Sequence, residues 1–252
     1  MTSVESKMEE AQKYYNAFSK ALTEDYIVSN PRTKSAIKHI LAWLPKQTKA
    51  ILDVGCGIGW TSFEVAKKRS SSTVFGVDLS PESIKIAHSL FEKNNLTFAQ
   101  QDITVKDFQD NNRFDAVLLV DVYEHIPAEA RAFFHQSIAA ILNESGRIII
   151  TCPTALQQRW LIEHNKEGLQ PIDEVITVKE IHDFATAVQG EVIYFAYKRI
   201  WDENDYFHAV IERQPKFQKI DRPLSEKIRD RIPFSKIIKE NRVKSLLKKG
   251  NV

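Results

Sequence analysis

The 252-residue chain has only two cysteines, Cys56 and Cys152, far apart in sequence. That scarcity excludes a disulfide-stapled scaffold and a Cys-rich zinc module, and it fits a reducing compartment. No apolar run comes near the ~18–20 residues that a membrane span requires. The N-terminus, MTSVESKMEEAQKYY, lacks both the apolar stretch of a secretory signal and the Arg-rich, acid-poor character of a transit peptide. Internal repeats and low-complexity runs are missing as well. Net charge is nearly missing too, at +2, which argues against a whole-protein nucleic-acid binder. What the chain does have is 43% apolar residues, enough for a sizeable core. The expectation is a globular cytoplasmic protein.

The near-zero charge conceals an asymmetry. Residues 216–252 hold twelve Lys and Arg against four Asp and Glu, so a body of charge −6 carries a tail of charge +8. Within that tail Ile228, Ile232, Phe234, Ile237, Ile238, Val243, Leu246 and Leu247 are interspersed with basic residues, and Pro223 and Pro233 interrupt them. The pattern suits an amphipathic segment on an anionic membrane surface, a dock for a protein partner, or a solvated end. Three regions follow: an N-terminal helical cap over 1–48, a ligand-binding domain over 49–214, and the basic tail over 215–252.

The body alternates short apolar runs with helical patterns. Helices are predicted over 8–22, 33–44, 60–69, 81 onward, 128–142 and 178–188, and strands over 50–54, 73–77, 96–100, 114–120, 147–151, 191–199 and 206–212. FDAVLLV, at 114–120, has the continuous apolar character of a strand buried on both faces. Ser80 and Pro81 read as the N-cap and first turn of a helix. Such alternation predicts a mostly parallel sheet with helices on both faces, and in such sheets ligands bind beyond the carboxyl ends of the strands.

The residues with chemical potential fall at those strand ends. After the first strand comes Asp53-Val54-Gly55-Cys56-Gly57-Ile58-Gly59. Alternating glycines permit a tight turn and a close approach of backbone to ligand, and the helix start behind them presents free N–H groups. The spacing differs from the dinucleotide pattern, and Asp53 would repel a pyrophosphate while suiting an ammonium group. After the second strand, Asp78 followed by Leu79 and Ser80 places a carboxylate where it can accept from ribose hydroxyls. After the third strand, Asp102 can accept from an exocyclic amine while Ile103 packs on a base. After the fourth come Asp121, Val122, Tyr123, Glu124 and His125. Together these segments describe a nucleoside ligand with an amino-acid appendage.

From Ala50 to Arg213 the sequence resembles the class I S-adenosylmethionine-dependent methyltransferases. LDVGCGIG, VDLS and QDI are similar to that family's glycine loop, ribose turn and adenine segment, and DVYEHI resembles the segment beside the transferring methyl in ubiquinone-type and sugar O-methyltransferases. The resemblance implies a Rossmann-like α/β fold with a seven-stranded, mostly parallel sheet and an antiparallel final strand. It implies S-adenosyl-L-methionine as cofactor: Gly55, Gly57 and Gly59 along its methionine part, Asp53 at its ammonium, Asp78 and Leu79 at the ribose, and Asp102 with Ile103 at the adenine. Asp121 and Val122 would stand near the methyl, and Tyr15, in the first helix, would close over the cofactor.

His125 is the candidate general base, because imidazole titrates near neutrality, and Glu124 is the candidate to orient it or to bind the acceptor. The Asn/Asp-Pro-Pro-aromatic segment of nucleic-acid base methylation is missing, as are the second acid of arginine methylation and the Asp pair of the magnesium-dependent catechol type. No metal and no nucleic acid are therefore expected, and a hydroxyl of a small molecule or glycan precursor is the favoured acceptor. Residues 153–173, with Gln157, Gln158, Trp160 and His164, and the first helices are expected to wall its pocket. Trp201, Tyr206 and His208 are expected in the core. Two other classes stay open: a nicotinamide-dependent oxidoreductase, and a non-catalytic protein that retains the cofactor fold.

Overall fold

A computed structural model describes residues 3–103, 113–217 and 234–248. Two compact units divide the chain, Met1–Pro215 and Lys216–Val252.

The larger unit begins with two helices, α1 (Ser3–Val28) and α2 (Pro31–Trp43). Its sheet then builds from β1 (Ala50–Val54), β2 (Thr73–Asp78), β3 (Leu96–Gln100), β4 (Phe114–Val120), β5 (Leu142–Pro153), β6 (Gly190–Lys198) and β7 (Tyr206–Arg213). Between them run α3 (Trp60–Lys68), α4 (Pro81–Leu90), α5 (Arg131–Ile141), α6 (Ala155–His164) and α7 (Val178–Ala187). The sheet order is β3-β2-β1-β4-β5-β7-β6. β1 pairs in parallel with β2 and β4, β2 with β3, and β4 with β5, while β7 runs antiparallel to both β5 and β6. The doubly wound sheet with one reversed strand is the expected Rossmann-like architecture.

Strand pleating sorts the core into two layers. Leu52, Val54, Val117, Leu119, Ile148 and Ile150 pack on one face with Phe134, Ile138 and Phe184 from α5 and α7. Ile51, Ala116, Leu118, Ile149 and Val210 pack on the other with Ile40 of α2, Val65 of α3 and Ala87 of α4. Side chains alternate faces at every residue, so a strand covered on both sides is apolar throughout. This explains the unbroken apolar run of β4.

Several boundaries move. α1 is longer than its apolar pattern, because charged residues continue the helix on both flanks of 8–22. The helix predicted over 128–142 begins at Arg131, after a 3-10 turn at Ala128–Ala130 that follows Pro127, and ends at Ile141. Asn143-Glu144-Ser145-Gly146 is not a loop but the irregular start of β5, where the register against β4 shifts and Ser145 takes φ 60°. Arg213 donates to the carbonyls of Ala139 and Leu142, satisfying the end of α5 there. Ser80 caps α4 as expected, accepting from the Ser83 amide.

The second unit contains α8 (Phe234–Lys248). Ile238, Val243 and Leu247 are exposed on it, and at 100° per residue Ile238 lies on the opposite side from Leu247. Among the described side chains of this helix, the exposed apolar ones therefore do not share one face. Ile228 and Ile232 lie outside the described residues.

Candidate functional site

The site lies at the carboxyl ends of β1, β2 and β4, where the glycine loop leaves the sheet. Gly55, Gly57 and Gly59 all have positive φ, at 64°, 54° and 85°. At Gly55 a Cβ would stand 2.4 Å from Cγ2 of Val122, so the loop after β1 and the turn after β4 meet there with no room for a side chain. The Gly57 amide donates to Oδ2 of Asp78 at 2.8 Å, and the Ser80 amide donates to Oδ1 at 2.8 Å. Asp78 thus ties two strand ends together, while its remaining lone pairs stay available to hydroxyl donors.

A cavity opens between this loop and α1. Tyr15, Asp53, Gly55, Gly57, Asp78, Leu79, Asp102, Ile103, Asp121, Val122 and His125 line it, as expected. Gly59 and Glu124 do not. Gly59 is the N-cap of α3, where a Cβ would stand 2.5 Å from the Phe98 ring, so packing explains that glycine. Glu124 is buried beside His125.

The charge of the lining is lopsided. It contains the carboxyl groups of Asp25, Asp53, Asp78, Asp102 and Asp121, and among the described residues one permanent cation, Arg32. Burial pushes Asp53 up to about 7, although Ser62 Oγ donates to it at 2.5 Å. Burial likewise raises Asp78 and Asp121, the latter opposed by the nearby Arg32 guanidinium. Arg32 Nε sits 3.1 Å from Asp121 Oδ2, and its Nη2 is 3.5 Å from Asp25 Oδ2. A cationic ligand relieves crowded, desolvated carboxylates and is favoured here over a polyphosphate.

Five cavity-lining groups have a buried atom without a hydrogen-bond partner among the described residues: the Tyr15 hydroxyl, Gln101 Oε1, Gln170 Oε1, Asp121 Oδ1 and Arg32 Nε, the last in an ion pair with Asp121 Oδ2. Buried polar atoms are nearly always satisfied, so these mark contacts that a polar ligand would complete. α1 is fastened over the cavity by two bonds to the turn after β2. Gln12 donates to the Leu79 carbonyl at 3.0 Å, and Ser80 Oγ donates to Asn16 Oδ1 at 2.7 Å. The glycine cradle, the acidic lining, the unpartnered polar atoms and Arg32, the one cation able to meet a carboxylate, fit S-adenosylmethionine, which carries a sulfonium, an ammonium and a carboxylate.

His125 lies in a 3-10 turn, Tyr123–His125, entered through Asp121 at φ 54°. Its Nδ1 is 2.7 Å from the carbonyl oxygen of Ile172. A carbonyl only accepts, so Nδ1 carries the proton and Nε2 keeps its lone pair. Burial lowers the His125 pKa below the ordinary imidazole value, favouring that neutral form. Glu124 Oε1 is 3.9 Å from His125 Nε2, and the Cys152 thiol donates to Glu124 Oε2 at 3.3 Å. Burial holds the Glu124 carboxyl well above the usual carboxylate range, which favours its neutral form. Cys56 and Cys152 are both buried, and burial raises both thiols.

The acceptor-side expectations fare less well. Gln157, Gln158, Trp160 and His164 do not line the cavity. Trp160 is half-exposed with His164 stacked on it, and Gln158 is buried and donates to Asp173 Oδ1 at 2.5 Å. Tyr206 and His208 are core residues, but Trp201 is half-exposed, because the loop after β6 turns outward. Phe18, Leu22 and Arg32 of the first helices and Gln170 of 153–173 do line the cavity, in the segments expected there but not as individually named residues. A signal for Arg32 existed: a cation in the first turn of a helix opposes the helix dipole, so another interaction must hold it there.

The family model of a methyltransferase domain matches residues 45–214. The ubiquinone biosynthesis O-methyltransferase of Actinobacillus pleuropneumoniae serotype 5b is 33% identical over 104 residues, which cover 39% of this chain and 43% of that protein. Its counterpart from Coxiella burnetii is 31% identical over 117 residues, covering 46% and 48%. The match thus spans under half the length of these curated relatives. Among solved structures, magnesium protoporphyrin IX methyltransferase from Synechocystis PCC 6803, with bound SAH, superposes with a TM-score of 0.57 at 20% identity, covering 72% of this chain and 81% of that one. A TehB-like SAM-dependent methyltransferase from Corynebacterium glutamicum gives 0.59 at 17% identity, covering 80% and 98%. At such identities the likeness speaks for the fold.

Proposed function

The chain belongs to the class I S-adenosylmethionine-dependent methyltransferases, and on that premise we propose that it methylates a hydroxyl oxygen of a small molecule or glycan precursor, with His125 as the proton acceptor. The observation that carries this reading is the tautomer of His125: Nδ1 is committed to the Ile172 carbonyl, which leaves Nε2 basic on a residue that lines the cavity. When bound, the cofactor supplies a methyl group activated by a sulfonium. Asp53, Asp78 and the glycine-loop backbone bind and orient that cofactor, with Arg32 toward its carboxylate. Tyr15, Phe18 and Leu22 of α1 exclude water from the cavity. Glu124, whose neutral form burial favours, flanks His125 at Nε2, 3.9 Å away.

Two further features support a small hydroxyl acceptor. The cavity's five carboxyl groups disfavour a phosphate backbone. The curated relatives carry the name O-methyltransferase, although over a partial match. The nicotinamide alternative falls away with the family assignment.

The test is methyl transfer from labelled S-adenosylmethionine to a panel of phenols, quinols and sugar hydroxyls, alongside amines, by the wild type and His125→Gln. The expected result is transfer to oxygen, with kcat lowered about 10²-fold or more in the variant and S-adenosylhomocysteine affinity unchanged. Transfer to amines alone, or an unimpaired His125→Gln, would overturn it.

A further inference from the structure

The segment between α6 and α7 does more than connect them. Residues 170–174 lie across the Tyr123–His125 turn as a strap, pinned from several directions. The Glu174 amide donates to the Glu124 carbonyl at 2.9 Å. Glu174 Oε1 accepts from the Ala128 amide at 3.4 Å. Asp173 is the hub: Oδ1 accepts from Gln158 Nε2 of α6 at 2.5 Å, and Oδ2 accepts from the Gln170 amide at 3.0 Å. The residue between these anchors, Ile172, is buried and presents its carbonyl to His125 Nδ1. The Asp173 carboxylate itself stands 3.7 Å from that nitrogen.

We propose that Asp173, braced by Gln158, is a positioning residue for methyl transfer: it holds the Ile172 carbonyl on His125 Nδ1 and thereby reserves Nε2 for the acceptor's proton. This rests on the reading of His125 given above and deepens it. As the acceptor oxygen forms its bond to the methyl carbon, the carbon–sulfur bond of the sulfonium breaks, its electron pair stays on the departing sulfur, the acceptor's O–H bond breaks and the proton goes to Nε2. The ring becomes an imidazolium whose Nδ1–H lies between the Ile172 carbonyl and the Asp173 carboxylate, and it later returns a proton to solvent. A fixed carboxylate beside the ring favours that cation without touching the substrate.

Other charged and titratable groups also face His125. Glu124 lies on its own turn, Asp121 at the end of β4, Arg32 on α2, and Tyr15 on α1 with ring centroids 6.0 Å apart. The test must therefore change Asp173 alone. Long-range nitrogen–proton spectra of the full-length, cofactor-free protein report both the tautomer and the titration of each histidine, with His125 identified by its loss in His125→Gln. The wild type is expected to show the Nδ1–H tautomer. In Asp173→Asn the His125 nitrogens are expected to move toward the average of the two tautomers and its titration to fall to lower pH. Gln158→Ala should act in the same direction by less and covers the case in which the first variant folds poorly. S-adenosylhomocysteine affinity should stay within about twofold, because Asp173 does not line the cavity, while kcat falls roughly tenfold. An unchanged tautomer and titration in the folded variants would overturn the assignment. An unimpaired His125→Gln would instead overturn the general-base reading, and the spectra would still decide what Asp173 does.

Discussion

The two sides of the cavity are built in different ways. On the β1–β2 side the geometry is set by backbone: glycines at positive φ, amides donating to Asp78, and a helix start. On the β4–β5 side it is set by residues distant in sequence. Arg32 meets Asp121 across 89 positions, and the Ile172 carbonyl meets His125 across 47. A backbone-built site binds one ligand shape and has little room to vary. A site assembled from separate segments can change its acceptor by changing a strap or a helix. The two halves thus differ in how much of their geometry is set within one stretch of chain.

The sharpest test strikes the seam between the halves. Gly55→Ala puts a methyl group into Val122 at a residue whose φ disfavours any side chain. It is expected to cost about 3 kcal/mol, weakening S-adenosylhomocysteine binding about a hundredfold by calorimetry. Gly55→Ala with Val122→Ala should recover only the part due to collision. Next in size is Asp78→Asn, which loses one of two backbone bonds and a charge. It should cost about 2 kcal/mol of ligand binding, with kcat for a saturating cofactor nearly unchanged if the halves are independent. Arg32→Met leaves Asp121 desolvated without its counter-ion. The pair is partly exposed, with side-chain exposures of 21% and 12%, so a loss of about 1–2 kcal/mol in denaturant unfolding is expected. The double variant with Asp121→Leu should lose less than Arg32→Met alone.

At neutral pH the smallest effect lies away from the cavity and serves as a control for both halves. His39 of α2 and His208 of β7 pack with ring centroids 4.5 Å apart, and burial lowers them to about 4 and about 3. Both are neutral when folded, whereas the unfolded chain takes up their protons below pH 6.5. Stability from this source is therefore complete above pH 6.5 and declines as the pH falls toward 4, by about 1 kcal/mol per pH unit for each ring. His208→Phe should flatten the acid side of a Tm-against-pH curve and leave ligand binding at neutral pH untouched.

The contrast between the halves also explains what was legible in the sequence. The glycine loop, Asp78, Asp102 and His125 were visible because they occupy fixed distances from strand ends, which local periodicity locates. The seven strands were visible for the same reason, although β5 begins earlier than its apolar run, since Asn143 and Glu144 continue it through an irregular register. Ile172 and Asp173 were not visible as individual residues, because their importance comes from tertiary approach and, for Ile172, from a backbone carbonyl that carries no residue signature, while Arg32 showed only as a cation set against the dipole of α2. Trp160 and His164 misled in the opposite direction: their chemistry suited a pocket wall, but α6 turns both toward solvent.

The two buried thiols amount to a pair of internal clocks. Cys56 sits in the glycine loop at the cavity, and Cys152 is buried near the end of β5 in the core layer under α5 and α7. A thiol reagent can modify each only when its surroundings open, so the modification rate of Cys56 times the loop and that of Cys152 times the body. Ligand in the cavity should slow the first clock far more than the second. The ratio of the two rates would give, without any knowledge of the acceptor, the fraction of openings that admit cofactor without unfolding the protein.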